Sequence, residues 1–459
     1  MKRESKNTGT NRNVLSPEIF LPFFVLGFYF VGVTLVQFSL KALLIVLLGV
    51  GAYLLAVRLT GGLIDNNANI ENTGTGSVDN NNGRAYLQHD YFERLLLSLL
   101  LLFIIDQAIK GFLPLGMRIP LYLVISSAVF FAIGKRKIEL SGRQYLLLGL
   151  LMILTYMIPA FAKYGLYGSY LNRTGGLMPA FLVGMGTITT VYGLMKTALH
   201  LTAKNLFIMI AAITVVAGPL MAALIGYRAY AIIYILPLIF QYYLERKPPS
   251  GIKNSVIAIL VVAFFFIYTY FATSVARGAI YMFAPLNENA PAFVVESMES
   301  GHYTDKDMRV DNAEARNKFI TRPFFTYRVF LDVIETSYPW GKSHGKLIVS
   351  LMPGTNNGRA ATISILKKPL STSFFGLSFL EFGLAGVAVY GALLGCCLAF
   401  ISRFRNRSVY ALILTLVMLW LDTGPSVWWH WLPFATAFPA ATAVLFRRKH
   451  SRLVEFGHD

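Results

Sequence analysis

Arg228, Arg277, Arg328 and Arg359, with His344, Glu381 and Asp422, are the residues whose types and settings could do chemistry in this chain. Arg228, in Gly226-Tyr227-Arg228, stands at a short turn between two apolar runs. A guanidinium near membrane depth is costly unless it is paired or lines a cavity. Its planar fork stays charged and suits bidentate phosphate recognition, while the competing explanation is a side chain that snorkels to the interface. Arg277 directly follows a long apolar run, a position suited equally to a lipid headgroup or a water-soluble substrate. Arg359 is one of several further cations between Ser274 and Ser371. His344, in Trp340-Gly341-Lys342-Ser343-His344-Gly345-Lys346, carries an imidazole that could accept a hydroxyl proton, although a lone loop histidine is more often simply solvated. Glu381 and Asp422, expected near the outer ends of their apolar runs, are alternative bases.

No cluster of Asp, His or Cys has convincing metal-ligand spacing, so a metal-independent site is expected, with arginines carrying the charge of any bound anion. Cys396 and Cys397 are adjacent inside an apolar run and read as packing residues, not a disulfide framework.

Arg328 belongs to a short element that the sequence delimits. Thr321-Arg322-Pro323 resembles a helix start, because proline is tolerated in the first turn, and Pro339 and Gly341 mark the end. At 100° per residue, Arg328, Asp332 and Glu335 share one face and Val329, Phe330, Val333 and Ile334 the other. Such a helix suits lying over a bundle with its polar stripe toward a hydrated cavity. Arg328 and Asp332 could equally be no more than an i,i+4 ion pair.

What surrounds these residues is set by composition. The chain has 459 residues, 55% of them hydrophobic and 14% charged, more apolar content than one soluble core hides. Runs long enough to cross roughly 30 Å of hydrocarbon begin near Ile19, Ala42, Leu95, Leu121, Tyr145, Leu177, Phe207, Ala229, Ser255, Phe374, Tyr410 and Val427. The formal charge is +18, and Lys135-Arg136-Lys137, Arg246-Lys247, Arg403-Arg405-Arg407 and Arg447-Arg448-Lys449 recur on alternate loops, on the side of the basic start. That pattern follows the positive-inside rule, argues against nucleic acid as a partner, and leads us to expect both termini in the cytoplasm. The expected organisation is a transmembrane region over 1–273 with a flexible cytoplasmic loop at 59–93, an extracytoplasmic loop over 274–371, and a second transmembrane region over 372–459. Gly391 and Gly395 form a small-xxx-small pattern suited to helix packing.

The second half resembles the O-antigen polymerase, or oligosaccharide repeat-unit polymerase, family, in particular its archaeal-type branch. The residues that carry the resemblance are Gly226-Tyr227-Arg228-Ala229-Tyr230, Arg328-Val329-Phe330-Leu331-Asp332, the Trp340 to Lys346 stretch, Pro353-Gly354, Gly358-Arg359 and Glu381-Phe382-Gly383-Leu384-Ala385-Gly386. The resemblance implies an all-α polytopic bundle of about twelve transmembrane helices of the GT-C-like kind, with the amphipathic helix in the large extracytoplasmic loop. It implies a glycosyltransferase of the cytoplasmic membrane that joins polyprenyl-diphosphate-linked oligosaccharide units outside, without metal or other cofactor. A chain-length regulator and a flippase are the implied protein partners, and membrane lipid the surrounding one. Arg228, Arg328 and Arg359 are carried over as diphosphate-binding residues. An O-antigen-type ligase and a lipid-linked oligosaccharide flippase are the alternatives.

Overall fold

The computed structural model describes residues 19–73, 140–164, 177–201, 229–245, 325–344, 372–402 and 407–423, with isolated positions elsewhere. Among these residues the chain is all-α, with eight helices: α1 (Phe20–Leu35), α2 (Leu40–Thr73), α3 (Gly142–Tyr164), α4 (Leu177–Ala198), α5 (Ala229–Glu245), α6 (Phe325–Thr336), α7 (Phe374–Ser402) and α8 (Arg407–Thr423).

Local sequence explains several of the starts. Ser39 caps α2, its hydroxyl accepting from the Ala42 amide at 3.3 Å. Ser141 and Gln144 form a reciprocal box at the head of α3, with bonds of 2.7 and 3.3 Å. Ser373 heads α7, accepting from the Gly376 amide at 3.2 Å. The same Ser373 hydroxyl lies 2.6 Å from the buried hydroxyl of Tyr29, which ties α1 to the start of α7.

α2 and α7 run side by side in the same direction, and glycine permits their contact. A Cβ on Gly391 would fall 2.6 Å from the Gly49 carbonyl, and one on Gly395 would meet the Tyr53 carbonyl. These two glycines thus pack helix on helix, as their spacing suggests. α8 lies inside the bundle, with every residue from Val409 to Leu421 buried, and Trp420 meets Phe374 edge-on at 4.8 Å.

The structure does not bear out the expectation of about twelve spanning helices. Among the described residues only Leu40–Leu63 and Phe374–Ser402 are both long and apolar enough to cross a membrane. Phe20–Thr34, Gly142–Thr155, Ile232–Leu244 and Arg407–Leu421 are apolar but shorter. Hydropathy overcounts because an apolar run reports burial without saying in what: α8 and residues 232–241 of α5 are covered by protein on all sides. The runs near Leu95 and Ser255 lie outside the described residues, as do most residues of those near Leu121, Phe207 and Val427.

Elsewhere apolar surface is open. Phe23 and Phe30 on α1, Leu44, Leu55 and Leu59 on α2, and Leu147, Leu151 and Ile158 on α3 are all exposed. Apolar surface on this scale marks a face that meets lipid or protein, not water.

The bundle has two chemically different ends. Thr60 on α2 reaches Cys396 on α7 at 3.3 Å, and Gln241 on α5 bonds the Met195 carbonyl of α4 at 3.3 Å and Ser408 of α8 at 3.1 Å. Gly142 at the head of α3 lies against Thr197, and Phe20 against Phe240. All these helix termini share one end, and next to them in sequence come Lys135-Arg136-Lys137, Arg246-Lys247, Arg403 and Arg405. The opposite end carries the 36–39 turn, α6 and the start of α7.

Candidate functional site

α6 is twelve residues long and strongly amphipathic. Tyr327, Val329, Phe330, Val333 and Ile334 are buried, while Arg328, Asp332, Glu335 and Thr336 are exposed. The buried face packs on α1 and α7: the Tyr29 ring meets Tyr327 at 5.7 Å and Phe330 at 5.4 Å, both edge-on. The Tyr327 hydroxyl also donates to the Gln37 carbonyl at 3.1 Å. Helix carbonyls left open at the C-terminal end are met by two lysines, Lys41 Nζ on Ile334 at 2.8 Å and Lys342 Nζ on Thr336 at 2.5 Å. Cations placed there satisfy orphan carbonyls and the negative end of the helix dipole together.

Beyond α6, residues 337–344 dock onto a break in α7. At Phe382 (φ −136°, ψ 24°) and Gly383 (φ 60°, ψ −141°) the helix is interrupted, which frees main-chain groups. The amides of Lys342 and Ser343 donate to the Leu380 carbonyl at 2.6 and 3.0 Å, and the His344 amide to the Glu381 carbonyl at 3.3 Å. In return the Leu384 amide donates to the Pro339 carbonyl at 3.0 Å. The contact is backbone on backbone, so side chains would obstruct it. A Cβ on Gly383 would collide with the Pro339 carbonyl, and one on Gly341 (φ 84°) would lie 2.5 Å from the Glu381 carbonyl. His344 itself is held at φ 26°, a left-handed conformation that a non-glycine residue adopts at a cost of order 1 kcal/mol or more.

This docking presents a definite surface. Tyr338 and Trp340 are 56% and 66% exposed, with their rings stacked at 5.5 Å and 7°. Lys342 Nζ lies 5.1 Å from the Tyr338 ring centre. The exposed His344 imidazole sits 5.7 Å from the Phe382 ring.

The candidate residues separate on this framework. Arg328 and His344 are both exposed, at opposite ends of the α6 and 337–344 unit; Arg328 lies about 12 Å along the helix axis from Thr336. His344 and Glu381 are neighbours through their backbones, yet their side chains differ in setting, because Glu381 is wholly buried and lies within electrostatic reach of Tyr390. Asp422 is in the last turn of α8, close in sequence to Trp420 and so at the end of the bundle that carries Phe374. Arg228, Arg277 and Arg359 lie outside the described residues, although α5 begins at Ala229, immediately after Arg228. Sequence reasoning missed the paired rings of Tyr338 and Trp340, the capping role of Lys41 and the interruption of α7. The only traces were Pro339, Gly341 and Gly383.

Repeat-unit polymerisation, glycosyltransferase activity, and the ligase and flippase alternatives are expectations for a bundle of about twelve spans. The described residues, with two helices of spanning length, do not have that architecture and do not bear these expectations out. No curated protein and no solved structure matches the chain. Residues 306–434, less than a third of the chain and including α6, its docked loop, α7 and α8, match the family model described as "Putative O-antigen polymerase", a coarse link to glycan processing.

Proposed function

We propose that this chain is a multi-pass protein of the cytoplasmic membrane, both termini cytoplasmic, that binds a polyprenyl-diphosphate-linked oligosaccharide at the bundle end carrying α6. The observation that carries the reading is the exposed polar face of α6, with Arg328 on it, continued by a loop that docks on the break in the longer apolar helix, all within the region of family similarity. Arg328 supplies a guanidinium for a phosphate oxygen pair, and His344 a hydrogen-bonding partner for a sugar hydroxyl. The family resemblance supports Arg228 and Arg359 as further ligands of the diphosphate, and Arg277 is proposed as a substrate-binding residue. The sidedness is supported by the basic clusters that adjoin the helix termini of the opposite end.

The test is binding of undecaprenyl diphosphate to the full-length protein in lipid nanodiscs. Loss of one charge-assisted contact in Arg328→Ala should weaken binding about 10- to 100-fold, and Arg328→Lys should restore only part of it. Wild-type affinity in a folded Arg328→Ala protein would refute the assignment.

A further inference from the structure

We infer that the stacked rings of Tyr338 and Trp340 form a sugar-ring platform, a subsite for a pyranose unit of a bound glycan. The inference rests on the lipid-linked oligosaccharide reading above and names the chemistry of one part of that ligand.

Three features of the pair point this way. First, large aromatic rings in water are normally covered, and these two are exposed, at 56% and 66%. The two rings lie nearly parallel, at 5.5 Å and 7°, and Trp340 is 66% exposed, which leaves flat aromatic surface open to a ligand. The axial C–H groups of a pyranose make one face of the sugar apolar and weakly positive, which complements the negative face of an aromatic quadrupole.

Second, the platform is built before any ligand arrives. Its backbone is fixed to α7 through the Lys342, Ser343, His344 and Leu384 hydrogen bonds, and Lys342 Nζ holds the end of α6 while lying over the Tyr338 ring. Rigid rings on a fixed backbone lose little freedom on binding.

Third, the surroundings are polar. In sequence and in space the pair continues the exposed face of α6, with Asp332, Glu335 and Thr336 on one side and Lys342 and His344 on the other. An apolar plate rimmed by donors and acceptors matches a sugar, which is apolar on its face and hydroxylated at its edge. An acyl chain would leave that rim unmatched.

The probes are undecaprenyl diphosphate alone and the same carrier bearing one glucose, galactose or N-acetylglucosamine unit, each titrated into full-length protein in nanodiscs. At least one sugar-bearing carrier should bind about 10-fold more tightly than the bare carrier. Trp340→Ala should abolish that increment, Trp340→Phe should keep most of it, and both should bind bare carrier as wild type does. An increment that survives Trp340→Ala, or its absence in wild type for all three sugars, overturns the platform while leaving the carrier reading intact. Failure of wild type to bind the bare carrier would instead remove the reading on which the platform rests, and the platform with it. Quenching of Trp340 emission by lipids brominated on their acyl chains would assign the stack to the membrane interface and also overturn the proposal.

Discussion

The Leu384 amide donates to the Pro339 carbonyl at 3.0 Å across the point where α7 is broken, and the Lys342 amide donates to Leu380 at 2.6 Å on the other side of it. An interrupted helix exposes main-chain donors and acceptors that must find partners when buried. Here residues 337–344 provide them. The loop is therefore part of the helix's own hydrogen bonding, and the exposed surface it carries inherits the rigidity of the bundle.

Gly383→Ala should undo this arrangement. The residue sits at φ 60°, and its added Cβ would collide with the Pro339 carbonyl. We expect a loss of about 1–3 kcal/mol, together with faster proteolysis within 337–344. Gly51→Ala is the control, since its Cβ would meet nothing within 4 Å, and it should be neutral or stabilise α2 by up to about 1 kcal/mol. Denaturation midpoints in detergent read both, and equal midpoints for the two variants would refute the account.

How much of this was legible in the sequence depends on where the physical signal resides. The faces of α6 were legible because burial imposes a 3.6-residue period, and Arg328, Asp332 and Glu335 do stand apart from Val329, Phe330, Val333 and Ile334. The packing of Gly391 and Gly395 was legible because close helix approach requires small residues. The number of spans was not, because α8 satisfies the same hydropathy as a lipid-facing helix while being buried in protein. The docking of 337–344 was also hidden. Backbone hydrogen bonds leave no side-chain signature beyond the two glycines that permit them, and nothing in Glu381-Phe382-Gly383 announced that Glu381 would be wholly buried.

The tie between α1 and α7 predicts a modest effect. Tyr29→Phe removes a buried hydroxyl that lies 2.6 Å from Ser373 Oγ but keeps the ring against Tyr327 and Phe330. The Ser373 hydroxyl still accepts from the Gly376 amide. The expected cost is about 1 kcal/mol in thermal or denaturant unfolding, and a loss above about 3 kcal/mol would mean that the hydroxyl serves more than this pair.

Sidedness is tested with single cysteines in a variant lacking Cys396 and Cys397. Glu335 and Arg143 are both exposed and lie at opposite ends of the bundle. An impermeant maleimide applied to intact cells should label Glu335→Cys and spare Arg143→Cys until the membrane is opened. The reverse pattern would invert the proposed orientation.

Lys342→Met separates the two things that hold the aromatic stack. Methionine keeps most of the apolar stem, but it removes the ammonium that donates to the Thr336 carbonyl and lies over the Tyr338 ring. Main-chain bonds from residues 342 and 343 to Leu380 do not depend on the side chain and should persist. Because Lys342 is exposed, the cost should stay near 0.5–1 kcal/mol and be local, not global. Hydrogen exchange should therefore quicken at the C-terminal turn of α6, while amides 342 and 343 keep their protection and the unfolding midpoint hardly moves. Loss of protection at 342 and 343 as well would mean that the lysine, and not the helix break, fixes the loop, and the rigidity attributed to the backbone docking would have to be reassigned to a single side chain.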